Sequence, residues 1–113
     1  MRTASIWRCD ERLCDTVLAD NYFLRLRGLM GRDVRQVESL QLKPCAQIHT
    51  CFMGYPIDVV YLDRGGQVLQ IERAAQPWKF FKTVRGAHSV IELPEGMASQ
   101  YQINEGDTLE VRP

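Results

Sequence analysis

The stretch IDVVYLDRGGQVLQIER, Ile57 to Arg73, decides the fold. Its Gly65-Gly66 pair sits between two short apolar runs and is a strong β-hairpin signal, because tight hairpin turns need residues that accept positive φ. The first run is apolar on both faces except for Asp58. A carboxylate leaving water without a partner is costly, so Asp58 must be paired or face an open, wet side.

Working outward, residues 3–8 and 13–19 read as strands around the polar turn Asp10-Glu11-Arg12. This hairpin would set Cys9 opposite Cys14, so a cross-strand disulfide is conceivable, though two separate thiols are the preferred reading. Asp20 or Asn21 is a reasonable cap for a helix over Tyr22 to Leu29 with the stripe Phe23, Leu26 and Met30. Arg25, Arg27, Arg32 and Arg35 outweigh Asp33 there, which reads as a solvated basic helix end. A strand around Ser39 to Leu42, the run AQIHTCF, the turn Gly54-Tyr55-Pro56 and the strand AHSVIEL follow. A short helix near Pro94, the turn NEGD and a closing strand TLEVR complete the chain. The expectation is a mainly β fold of seven to eight short strands with one or two short helices. Residues 1–113 would form a single domain, a β-sandwich or barrel.

Composition narrows the function classes. Fourteen basic and fourteen acidic side chains cancel, so no overall field attracts nucleic acid or anionic membrane. The apolar runs are far shorter than a bilayer span, and the start MRTASIWRCDERLC lacks the apolar centre of a signal peptide. A cytoplasmic, soluble protein is expected, with Cys9, Cys14, Cys45 and Cys51 as free thiols.

Three blocks carry a resemblance: RLRGLMGR (Arg25–Arg32), PCAQIHTCFMGYPIDVVYLD (Pro44–Asp63) and VRGAHSVIELPEG (Val84–Gly96). Together with Trp78 and the closing Gly106-Asp107, they are similar to the bacterial and archaeal family called domain of unknown function 192, over roughly residues 13–112. The resemblance implies a compact β-sandwich with short helical insertions, and it brings no established activity or cofactor. The pattern transfers to Arg27, Gly28, Met30, Cys45, His49, Thr50, Met53, Pro56, Asp58, Trp78, Arg85, Gly86, Glu92 and Gly96. Cys51 stands where an aromatic is common and Gly54 where a basic residue is common, which weakens any role for a basic group at that turn.

Alternation in AQIHTCF puts Ile48, Thr50 and Phe52 on one face and Gln47, His49 and Cys51 on the other. A hairpin between this run and IDVVYLD would bring His49 towards Asp58, either as an oriented base or as a structural hydrogen bond. Arg85 is the candidate ion-pair partner that would resolve the burial of Asp58, with Arg27 as a second. Cys45, His49, Cys51 and His88 would give a sulfur-and-nitrogen set of the kind zinc accepts, but at irregular spacing. Cys45 with His49 would resemble thiol catalysis only if the two converge. Trp78 among Lys79, Phe80, Phe81 and Lys82 reads equally as a ligand wall or a flap over the core, and Glu92 as an acceptor for backbone amides of a nearby turn. The favoured reading is a binding or accessory module for a small molecule or peptide, with a polar pocket of His49, Thr50, Asp58 and Arg85 and with Trp78 at its rim. The alternatives are an enzyme using His49 as acid/base with Asp58 and Arg85, a metal-binding variant, and a domain pairing through an edge strand.

Overall fold

The computed structural model describes residues 2–19, 37–50 and 54–113. One end of the sheet is the hairpin of β4 (Ile57–Leu62) and β5 (Val68–Ala75). The turn between them is tied by Asp63, whose Oδ1 accepts from the amides of Gly65 and Gln67, each at 2.9 Å. Gly66 has φ +87°, and a Cβ there would lie 2.3 Å from the carbonyl oxygen of Leu109. Only glycine satisfies both conditions, so the Gly-Gly signal is met by backbone conformation and by close approach.

Among the described residues seven strands form one mixed sheet in the order β5-β4-β6-β3-β2-β1-β7. The others are β1 (Thr3–Arg8), β2 (Glu11–Ala19), β3 (Leu40–Leu42), β6 (Ser89–Pro94) and β7 (Glu110–Arg112). All neighbours are antiparallel except β2 and β3. A single helical turn, α1 (Met97–Gln100), follows β6. The sheet curls until its ends meet at one bridge, Gln67 with Thr108, without closing into a barrel. All six residues of β4 are buried because the sheet has a packed layer on each side. One layer gathers Val17, Leu40, Ile48, Val59, Tyr61 and Val90; the other gathers Ile6, Val60, Ile91, Leu93, Ala98 and Leu109.

Three local expectations change. Glu11 and Arg12 belong to β2, because the turn tightens to Cys9 and Asp10 with Cys9 at φ 55°. In the resulting register Cys14 lies opposite Ile6, so Cys9 and Cys14 are free thiols, one exposed and one buried. The run AQIHTCF does not pair with β4. Both edges of β4 are taken, by β5 and β6, and residues 46–50 pair with 78–84 instead. The expected helix over Tyr22 to Leu29, the basic cluster after it, Arg27 and Cys51 lie outside the described residues. No helix among the described residues is long and apolar enough to cross a membrane.

Candidate functional site

Two segments far apart in sequence make a ribbon over one face of the sheet. The amides of Val84, Phe81 and Trp78 donate to the carbonyls of Ala46, Ile48 and Thr50 at 2.8, 3.2 and 2.9 Å, and the Thr50 amide donates to Lys79 at 2.8 Å. For the described residues the alternation holds, with Ile48 and Thr50 buried and Gln47 and His49 exposed; Cys51 and Phe52 lie outside them. Thr50 is the clamp. Its hydroxyl donates to the Gln76 carbonyl at 2.6 Å and accepts from the Lys79 amide at 2.9 Å, so one buried side chain fixes the backbone on both sides of Trp78.

That clamp holds Trp78 at φ 62°, a conformation costly for a bulky residue. Trp78 is 63% exposed and Phe80 78% exposed, and His49 faces Phe80 across the ribbon with ring centroids 5.6 Å apart. Lys79, Lys82 and Arg85 are exposed along the same segment, and residues 76–86 contain no carboxylate. The sequence groups Phe80 with Trp78 in one aromatic segment without pairing it with His49, although strand alternation puts Trp78 and Phe80 on one face.

Asp58 is elsewhere. It is 1% exposed, and its carboxylate accepts from the amides of Ala74 and Ala98, each at 2.9 Å. Ala98 is the second residue of α1, whose N-cap Gly96 has no side chain to offer, so Asp58 satisfies a helix-end donor from across the fold. Its burial is resolved by two backbone donors rather than by Arg85, which lies on the exposed turn before β6. His49 and Asp58 are not brought together.

Glu92 also departs from expectation. It stands in mid-β6 opposite Leu40 and Val59, and Val59 has Glu72 on its other side, so two carboxyl groups flank Val59 on one face. Strand amides there serve the sheet, leaving none to bond the side chain; Glu92 is 2% exposed and its Oε2 has no partner among the described residues. Burial pushes its carboxyl up to about 8. Burial first, then the charges of Glu72, Cys45 and Glu92, pushes Tyr61 up to about 12.

Of the cysteine–histidine set, Cys51 lies outside the described residues, and Cys45, His49 and His88 form no metal-ligating group among the described ones. The Cys45 amide donates to the His88 carbonyl, but the Cys45 thiol donates to the Gln47 carbonyl at 3.2 Å and His49 belongs to the ribbon. No group of three metal-ligating side chains occurs among the described residues.

A second polar surface was not anticipated. Arg8, Arg73, Ser99, Gln102, Ile103, Asn104 and Asp107 line a cleft of about 500 Å³ beside α1. The sequence carries no local signal for it, because its walls come from β1, β5, α1 and the α1–β7 connection.

The DUF192 family model, described as "Uncharacterized ACR", matches residues 6–111. The UPF0127 protein of Thermococcus sibiricus is 34% identical over 98 residues, covering 82% of this chain and 63% of that one. The chain therefore spans less than two thirds of that relative's length. A UPF0127 protein of Pyrococcus furiosus is 33% identical over 96 residues, covering 81% and 82%. Among solved structures, a protein of unknown function from Novosphingobium aromaticivorans superposes with TM-score 0.78 at 20% identity, covering 96% of this chain and 83% of the other. A protein from Sinorhizobium meliloti gives the same TM-score at 19% identity, covering 96% and 92%. At those identities the likeness speaks for the fold alone. The match along almost the whole sequence makes this chain a member of the DUF192 family.

Proposed function

We propose that this chain is a peptide-binding module whose recognition surface is the ribbon bearing His49, Trp78 and Phe80. The observation that carries the reading is the exposed Trp78, held at positive φ by a buried threonine. Backbone strain persists where the surroundings enforce it, and an exposed, pre-positioned indole beside a second aromatic ring is the kind of anchor that dominates interface energetics. Lys79, Lys82 and Arg85, with no acidic neighbour in the segment, favour an extended acidic peptide carrying an apolar side chain. In this reading His49, Trp78, Phe80 and Arg85 contact the peptide, Thr50 fixes the geometry, and Asp58 is scaffolding.

The test uses a fluorescein-labelled peptide library in which Asp and Glu alternate with Leu, Phe or Trp, read by anisotropy. Binding that weakens with salt and disappears in the Trp78→Ala/Phe80→Ala double variant, at unchanged Tm, is expected. Absence of binding across the library, or binding indifferent to that double variant, overturns the proposal.

A further inference from the structure

The cleft beside α1 shares no residue with the ribbon, and its chemistry is that of a small-molecule site. Arg73 donates from Nη1 to the Ser99 hydroxyl at 2.9 Å and from Nη2 to the Ile103 carbonyl at 3.2 Å. It has no carboxylate partner among the described residues, so its charge and three of its five N–H groups are uncommitted to the protein there. Because the Ser99 hydroxyl accepts from the guanidinium, its own proton is left to donate. Arg8 is differently placed. It donates to the Gln102 and Tyr101 carbonyls at 2.8 and 3.0 Å and pairs with Asp107 at 3.3 Å and Glu11 at 2.8 Å. Asp107 in turn accepts at Oδ2 from the Asn104 amide at 2.9 Å, while its Oδ1 has no partner among the described residues.

The cleft thus has a cationic group, Arg73 with Ser99, and an acceptor, Asp107 Oδ1; Gln102 and Asn104 also line it, the Asn104 side-chain amide donating to the Gln102 carbonyl at 3.2 Å. Its volume of about 500 Å³ falls within the ~300–1,000 Å³ usual for small-ligand sites. A bare anion would use the cationic group alone, because Asp107, although paired with Arg8, offers it an acceptor and no donor. We infer that this cleft binds a phosphorylated polyhydroxy compound, the phosphate on Arg73 and Ser99 and the hydroxyl groups on Asp107, Gln102 and Asn104. A guanidinium with free donors suits a phosphate, and a carboxylate oxygen with no partner suits a hydroxyl donor.

The experiment is amide NMR titration of the whole chain at fixed ionic strength with glucose 6-phosphate, inorganic phosphate and glucose. The expected result is saturable shifts at residues 73, 99, 104 and 107 with glucose 6-phosphate, weaker ones with phosphate and none with glucose. Arg73→Gln should weaken the sugar phosphate by about tenfold or more, Arg73→Lys less, and Asp107→Asn should narrow the gap between sugar phosphate and phosphate. Should Arg73→Gln or Asp107→Asn disturb the fold, Ser99→Ala, at an exposed hydroxyl, carries the same test of the phosphate end. No shifts in the cleft at millimolar sugar phosphate, equal response to glucose, or binding unaffected by both Arg73→Gln and Ser99→Ala overturns the inference.

Discussion

Glu92 should make this protein less stable as the solution becomes more basic, across a range where most proteins change little. Its carboxyl is buried in mid-β6, and burial lifts it from an ordinary 4.5 to about 8. The unfolded chain loses the proton near 4.5, whereas the folded chain keeps it to about 8. The stabilisation is therefore fully present below pH 4.5 and is lost as the pH rises through 8. At about 1.4 kcal/mol for each pH unit between the two values, the loss amounts to about 5 kcal/mol. That is a large part of the ~5–15 kcal/mol that usually separates folded from unfolded states. Glu92→Gln keeps the shape and cannot titrate, but its amide hydrogens are buried without an acceptor, at a cost of about 1–3 kcal/mol. Urea unfolding at pH 5, 6, 7 and 8 should then show the wild-type curve falling more steeply than the variant's. The variant should be the less stable at pH 5 and the more stable at pH 8. Parallel curves would refute the reasoning, because they would mean that the folded protein holds Glu92 ionised.

Other side chains give smaller, cleaner tests. Asp58→Ala strands the amides of Ala74 and Ala98 and should cost about 2–4 kcal/mol in denaturant unfolding, with Arg85→Ala close to neutral because Arg85 is not the partner. An Arg85→Ala penalty equal to that of Asp58→Ala would restore the ion-pair reading. Thr50→Val preserves shape but removes both clamp bonds; about 1–3 kcal/mol should be lost, and hydrogen exchange at the amides of Trp78 and Lys79 should accelerate before that of β4. Gly66→Ala combines positive φ with a Cβ at 2.3 Å from a backbone oxygen and should cost more than about 2 kcal/mol, seen as a lower urea midpoint at unchanged m. With Ellman's reagent, Cys9 should react at once and Cys14 only on unfolding.

The parts of the fold legible in the sequence are those settled within a few residues. Asp63-Arg64-Gly65-Gly66 announces its hairpin because the turn's bonds are local. The ribbon was illegible for the opposite reason. Thr50 meets Lys79 across 29 residues, and nothing near AQIHTCF names that partner. One clue was present: a run as apolar as IDVVYLD needs cover on both faces and a neighbour on both edges, leaving no edge for a hairpin with the preceding run. The same run misled about Asp58. A lone carboxylate in an apolar strand suggests a cation, but a helix end and a bulged strand offer amides, and these leave no mark on composition. Arg8 and Arg73 could not have been singled out, since their meaning depends on carbonyls around 30 or 90 residues away.

The two bonds of Asp58 have a mechanical consequence. Ala74 directly follows Arg73, and Ala98 directly precedes Ser99, while Arg73 itself reaches the Ser99 hydroxyl. The three contacts close a loop around a buried vertex, two of its sides made by Asp58 and the third by the exposed Arg73–Ser99 bond. The spacing between the two walls of the cleft is therefore set from beneath, by a group that never meets solvent. Substitutions at Gln102 or Asn104 leave all three contacts in place, whereas a change at Asp58 would loosen a surface it does not touch.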